Sequence, residues 1–246
     1  REEPCDLSSL QTGMIGGSTY SPQLYQEICR TFDFTLLPSL GQTEASAGIT
    51  SCAIDDPPEL RLTTVGRFFQ TVEGCIRSVR TGEILPPGEE GEICVRGVSV
   101  MLGYYHMPEA TKEAIDGDGW LHTGDLGKLD ARGYLTYTGR KKELIIRGGE
   151  NIAPGEIENI LCEDPRVDVV KVIGVPDRHY TEEVCACVVK REDMTEDEVR
   201  ELVRRRAAAF KIPRYVLFMD SFPLLPNGKI DWKTLQKTAI ERLSIH

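Results

Sequence analysis

Apolar positions change their spacing along this chain, and each change marks a different kind of structure. Leu24, Tyr25, Ile28 and Cys29 recur at helical spacing behind Ser21-Pro22, which predicts a capped helix with Pro at its first position. A continuous apolar run, Phe34 to Leu37, then predicts a buried strand leading into L-G-Q-T-E at Leu40 to Glu44. A strand that opens into a Gly-bearing turn is where open α/β sheets place ligands. From Val65 to about Tyr137 the pattern shifts to short strands between turns. The stretch G-E-I-L-P-P-G-E-E-G-E-I-C-V-R-G surrounds one clear strand, Glu92 to Arg96, with Pro and Gly, and predicts a small β-rich subdomain. Pro108 to Ile115 reads as a short helix ahead of the turn cluster Asp116-Gly117-Asp118-Gly119.

After Arg140 the predicted order is strand (Glu143 to Arg147), helix (Pro154 to Leu161), strand (Val167 to Val175), strand (Val184 to Lys190), helix (Thr195 to Ala209), strand (Tyr215 to Met219) and helix (Trp232 to Arg242). Helices against a small sheet make a compact α+β domain. Thr195 and Glu198 are spaced as a capping box, and Glu196 precedes Arg200 by one helical turn, so that helix reads as scaffold.

The 246 residues suffice for two modest domains, and 40% hydrophobic with 28% charged content describes a folded globular chain. The net charge of −10 opposes unguided binding to nucleic-acid backbones or anionic lipid, while leaving room for a local basic pocket for one nucleotide. Eight cysteines occur, several in apolar strand-like runs such as those at Cys94, Cys185 and Cys187, which suits reduced core thiols and a cytoplasmic compartment. Cys185 and Cys187 would share a strand face, but no second Cys or His pair follows at ligand spacing, so they read as structural thiols. No run approaches the ~20 apolar residues of a membrane span. The opening R-E-E-P-C-D has neither region of a secretory signal and reads like the middle of a longer chain.

Special residues are densest between Trp120 and Glu158, where Gly124-Asp125, Gly139-Arg140 and Gly148-Gly149 fall in one span. Taken with flanking runs, the order is G-G-S (Gly16 to Ser18), G-x-T-E (Gly41 to Glu44), G-E-I-x-V-R-G (Gly91 to Gly97), W-x-x-T-G-D (Trp120 to Asp125), G-R-x-K (Gly139 to Lys142) with R-G-G-E-N-I-x-P-x-E-I-E (Arg147 to Glu158), and N-G-K-I (Asn227 to Ile230). Any one of these is weak alone. As an ordered set covering essentially the whole chain, they resemble the adenylate-forming enzymes: acyl-CoA synthetases, firefly luciferase and peptide-synthetase adenylation domains. The stretches I-I-R-G-G-E-N-I-x-P, V-M-L-G-Y-Y, E-E-V-C-A-C-V and F-K-I-P-R-Y are most similar to the fatty-acyl-CoA ligases of medium-chain type.

That resemblance implies α/β and α+β folds: the closing part of a large AMP-binding domain over 1–140 (α/β over 1–64, a β-rich subdomain over 65–140), then a mobile carboxy-terminal α+β domain over 141–246. It implies ATP, Mg²⁺ and coenzyme A, with a small-molecule carboxylic acid activated as an acyl-adenylate and then transferred to a thiol. Gly16, Gly17 and Ser18 match the adenine-facing stretch, Gly41 and Gln42 are further nucleotide-binding positions, and Thr43 and Glu44 make the phosphate contact, with Glu44 holding magnesium. Asp125 and Arg140 correspond to the ribose and phosphate grip, Tyr137 to a further nucleotide-binding position, Lys229 to the lysine that serves adenylation, Lys142 to the interdomain hinge, and Gly148-Gly149 to the pantetheine passage. Each also has a plainer reading, as a turn residue or a solvated charge. Leu40 departs from the aromatic usual before G-x-T-E, so adenine packing is expected to be arranged differently. The family's S-G-T-T-G-x-P-K-G phosphate loop has no match, so this chain alone is expected to be inactive and to need a preceding amino-terminal part of the same domain. The competing expectations are a non-catalytic nucleotide- or CoA-binding module, a subunit of a split adenylating enzyme, or a domain loading a carrier protein.

Overall fold

A computed structural model describes residues 6–17, 22–226 and 228–245. Ser18, Ser21 and Asn227 therefore lie outside the described residues. The chain divides into two compact units, Arg1–Tyr137 and Thr138–His246.

The first unit opens with β1 (Thr12–Ile15), α1 (Pro22–Phe32) and β2 (Thr35–Leu40), followed by β3 (Thr50–Ser51), α2 (Pro58–Thr63) and β4 (Arg67–Phe68). β1 and β2 are parallel, with Thr12 beside Thr35 and Ile15 beside Pro38, and α1 supplies the crossover that parallel strands require. Buried Tyr25 of α1 donates its hydroxyl to the Leu36 carbonyl at 2.8 Å, locking helix to strand. β3 and β4 extend this sheet antiparallel.

Next come β5 (Val72–Arg77), β6 (Gly91–Gly97), α3 (Pro108–Ala114), β7 (Leu121–Leu129) and β8 (Leu135–Arg140), whose sheet order is β5-β6-β7-β8. Alternation along β6 sends Ile93 and Val95 into a core with Ala45, Ile49, Val72, Ile76, Leu121 and Leu135. Glu92 and Cys94 take the opposite face, and they too are buried. β8 carries the chain out of the first unit.

The second unit contains β9 (Ile145–Arg147), β10 (Glu150–Ile152), α4 (Pro154–Cys162), β11 (Val167–Asp177), β12 (Thr181–Lys190), α5 (Glu196–Arg204), β13 (Tyr215–Phe218) and α6 (Trp232–Leu243). Its sheet runs β10-β9-β12-β11, with β13 parallel on β12. Val184, Ala186 and Val188 of β12 face a core that includes Ile157 and Leu161 of α4 and Val199 and Val203 of α5. Cys185 and Cys187 face the other core, with Leu235 and Ala239 of α6. Helices thus cover both sheet faces, which is why these strands read as continuous apolar runs rather than alternating ones.

The predicted helix beginning at Thr195 stops at Arg204, not Ala209, and a 3-10 turn follows at Ala209–Lys211. Val203 is its last fully buried side chain; Arg204 to Arg206 are exposed, Ala208 and Ala209 too, and Ala207 alone of that stretch packs against the core, too little apolar surface to hold another turn. The predicted strand at Glu143 begins only at Ile145, after a 3-10 turn at Lys141–Glu143, and is joined by the unpredicted β10.

The capping box at Thr195 is formed: its side chain accepts from the Glu198 amide, and the Glu198 carboxylate accepts from the Thr195 amide. Thr195→Ala is expected to cost about 1 kcal/mol of the second unit's stability, read by urea unfolding. Glu198 also accepts from Arg166 at 2.7 Å, and that bond leads those with Thr195 in pulling its pKa down to about 2 from 4.5. Because the folded-state value lies below the unfolded one, the stabilisation is complete above pH 4.5 and drains away as pH falls toward about 2. Glu198→Gln should therefore flatten the acid limb of the unfolding midpoint measured from pH 6 to pH 2.5.

Candidate functional site

Two Gly-bearing segments leave the carboxyl ends of the parallel neighbours β1 and β2. Gly16-Gly17 follows β1, and Gly41-Gln42 follows β2 and turns into a 3-10 element at Thr43–Ala45. Ser39 ties the two ends, since its hydroxyl donates to the Ile15 carbonyl at 3.3 Å. The second turn is very tight: a Cβ on Gly41 would stand 1.7 Å from the Ala47 carbonyl oxygen. Ser46 and Ala47 hold φ of 55° and 68°, a left-handed pair of non-glycine residues that only the surrounding bonds can maintain. Those bonds are Ala45 N and Ala47 N to the Gln42 carbonyl, both 3.0 Å, and the Ser46 hydroxyl to the Ser99 carbonyl at 2.8 Å.

Thr43 is exposed and Glu44 half-buried at this turn. Glu44 is gripped twice: its carbonyl accepts from the Met101 amide at 2.8 Å, and its carboxylate Oε1 accepts from the Tyr104 hydroxyl at 2.8 Å. Donation to the carboxylate raises the Tyr104 pKa. Tyr104 was not among the predicted site residues. It stands 60 positions away in V-M-L-G-Y-Y, and no local spacing signals such a contact.

Asp125 is buried inside β7. Glu92 pairs with Leu126 and Cys94 with His122, so Thr123, Gly124 and Asp125 together oppose only Ile93, which makes a bulge. Gly124 supplies its positive φ of 70°, and the Thr123 hydroxyl fixes the bulge by donating to the Ile93 carbonyl at 2.7 Å while accepting from the Asp125 amide at 3.1 Å. Tyr137, on β8, is half-buried at the end of the first unit.

In the second unit Arg140 is exposed and precedes the 3-10 turn that contains Lys142. The end of that turn is anchored: Lys171 Nζ lies 3.2 Å from Glu143 Oε2 and 3.1 Å from Glu158 Oε1. Burial raises the Glu158 pKa, only partly offset by Lys171 and the Val172 amide. Burial works against the Lys171 charge, but Glu158 and Glu143 outweigh it and raise its pKa. Gly148-Gly149 forms the two-residue turn of the β9–β10 hairpin, with φ of 59° and 90° and with Arg147 facing Glu150. Arg147 fixes the hairpin tip, binding buried Glu183 with two hydrogen bonds of 2.7 and 2.9 Å while its guanidinium lies 4.3 Å from the Tyr180 ring centre. Lys229 is exposed in a tight loop between β13 and α6, where its carbonyl accepts from the Leu225 amide at 2.7 Å.

Comparison with known proteins decides the family. The model described as AMP-binding enzyme matches residues 1–105, and the one described as AMP-binding enzyme C-terminal domain matches residues 156–229. The chain belongs to the AMP-binding enzyme family. It is 36% identical over 243 residues to the medium-chain acyl-CoA ligase ACSF2, mitochondrial, of Bos taurus, covering 98% of this chain and 40% of that protein. The ATP-bound crystal structure of MatB from Rhodopseudomonas palustris superposes with a TM-score of 0.83 at 35% identity, over 92% of this chain and 44% of that one. The o-succinylbenzoate CoA synthetase MenE of Bacillus subtilis, in complex with its acyl-adenylate intermediate OSB-AMP, gives a TM-score of 0.81 at 32% identity, over 94% and 47%. The chain thus spans less than half the length of these relatives. No helix among the described residues is long and apolar enough to cross a membrane.

For this AMP-binding enzyme chain, the first unit carries Gly16, Gly17, Gly41 to Glu44, Asp125 and Tyr137, and the second carries Arg140, Lys142, Gly148, Gly149 and Lys229. Gly41→Ala is expected to lower the first unit's stability by about 1–3 kcal/mol, since a Cβ collides with backbone that cannot rotate away. Differential thermal unfolding would show it, with Gly117→Ala, whose Cβ meets nothing within 4 Å, as the milder control.

Proposed function

We propose that the protein carrying this chain is an ATP-dependent carboxylic acid-CoA ligase acting on a fatty acid, with medium-chain acids as the leading class. The observation that carries the reading is Thr43-Glu44 presented beside Gly16-Gly17 at the carboxyl ends of a parallel strand pair, where open α/β sheets bind nucleotides. Family membership and the similarity to ATP-bound MatB and acyl-adenylate-bound MenE support it.

In this reading a carboxylate oxygen bonds to the α-phosphorus of ATP and pyrophosphate leaves; a thiol sulfur of coenzyme A then bonds to the acyl carbon and AMP leaves. The backbone at Gly16-Gly17, bare of side chains, takes the adenine face, and the backbone at Gly41-Gln42 lines the nucleotide's other side. Thr43 offers a hydroxyl to phosphate. Glu44 suits Mg²⁺ because its donors are hard oxygens, and Tyr104 holds one of them in place. When bound, the ion would neutralise phosphate charge. Asp125 accepts from ribose hydroxyls, its acid held in place by the bulge, with Tyr137 and Arg140 as further contacts. Lys229, a mobile point charge, follows the charge that develops between carboxylate and phosphate. Lys142 serves as the pivot beside the anchored Glu143, and Gly148-Gly149 lets the pantetheine arm pass close to backbone.

The division into 1–140 and 141–246 is part of the proposal, as is a reducing, cytoplasmic setting, consistent with seven described cysteines as free thiols. In the full-length protein, Lys229→Ala is expected to slow carboxylate-dependent exchange of pyrophosphate into ATP by at least about a hundredfold, on the scale of losing a charge-stabilising group. Thioester formation from supplied acyl-adenylate should change by less than about tenfold. Equal losses in both half-reactions would contradict the role given to Lys229.

A further inference from the structure

Three side chains from two neighbouring strands converge away from the nucleotide motifs. Glu92 and Cys94 share one face of β6, and His122 is the direct partner of Cys94 on β7. His122 Nδ1 lies 3.0 Å from Glu92 Oε2 and 3.5 Å from Cys94 Sγ, and the three groups' ligand atoms all fall within 4.8 Å of one another. Glu92 and Cys94 are buried while the imidazole is partly exposed, so the cluster is reached from the His122 side.

Two electron-rich groups thus face one ring nitrogen. A hydrogen on Nδ1 can serve only one of them well, whereas a cation serves all three. The other ring nitrogen, Nε2, has Asp116 Oδ2 at 3.7 Å, and Asp116 is itself 3.5 Å from Arg77. That carboxylate stands at ion-pair rather than hydrogen-bond distance, and once a cation takes Nδ1 it favours the ring hydrogen on Nε2, the usual arrangement behind a metal-bound histidine.

The distances suit zinc. Tetrahedral bonds of ~2.3 Å to sulfur, ~2.05 Å to nitrogen and ~2.1 Å to oxygen place sulfur about 3.6 Å and oxygen about 3.4 Å from the nitrogen. The sulfur already stands at that distance from the nitrogen, the carboxylate oxygen must move outward by a few tenths of an ångström, and the sulfur–oxygen separation, within 4.8 Å here, must settle at about 3.6 Å. A thiolate and an imidazole select zinc over magnesium or calcium, and thiolate plus carboxylate balance a dication in a buried place.

We propose that Glu92, Cys94 and His122 form a zinc-binding tripod, completed by water on the exposed side. His122 immediately precedes the Thr123-Gly124-Asp125 bulge, so the ion would staple β6 to β7 at the base of the segment that presents Asp125.

The test uses this chain, stripped with chelator and titrated with cobalt(II) chloride, then zinc chloride. The expected result is a thiolate-to-cobalt absorption band in the near ultraviolet that saturates at one equivalent, is bleached by zinc, and accompanies a rise in the thermal midpoint. Cys94→Ser should abolish the band, and His122→Asn should weaken zinc binding by more than about tenfold, the scale lost even with outer partners of a metal site. Cys185→Ser, buried in the other unit, should leave both unchanged. Absence of the band in the unmodified chain overturns the proposal even if both variants fail to fold, and so does a band that survives in folded Cys94→Ser protein. These readouts do not depend on ligase activity.

Discussion

Strands buried on both faces constrain everything else in this chain. Residues 91–95 of β6 and 183–188 of β12 are buried without a break, and β11 is nearly so over 170–175. Such strands admit a charge only where a partner meets it, because an unpaired ion in the interior costs several kcal/mol. The structure obeys this at each point: Glu92 faces His122, Glu183 takes both hydrogen bonds of Arg147, and Glu158 of α4 accepts from Lys171 and the Val172 amide. Each of these acids lies within or against a two-sided strand, and each ties that strand to another element.

The same constraint moves the candidate chemistry to places where the ladder is interrupted. Glu44 stands on a turn past the end of β2, Asp125 on a bulge within β7, Gly148-Gly149 at a hairpin tip and Lys229 in a loop. The first three are firmly held. The Gly41 turn is closed by backbone bonds to Gln42, the bulge by Thr123, and the hairpin tip by the Arg147, Glu183 and Tyr180 cluster. Rigid supports of this kind let a few polar groups keep their geometry without regular secondary structure around them.

Element type was legible wherever a periodic or continuous apolar run was long enough. The β11 and β12 runs, the capping box at Thr195 and the Gly-bearing turn after β2 all follow from short-range physics that acts in any context. Short elements were not legible: β3 and β4 have two residues each, too few for a period to register. The bulge at Asp125 was also hidden, since T-G-D reads equally as a turn, and only the pairing of β7 with β6 shows that the strand continues through it.

The order and chemistry of the motifs, from Gly16 through Lys229, were determined by the sequence, because residue types such as Gly at a close approach or Asp after a Gly turn carry their reason locally. Only the tertiary structure decided which distant groups meet. Tyr104 reaches Glu44 across 60 positions, Arg147 reaches Glu183 across 36, and His122 reaches Cys94 across 28. The first depends on how the loop after β6 returns to the turn after β2; the other two depend on strand register and on which face each side chain takes, and a slip of one residue would reverse both.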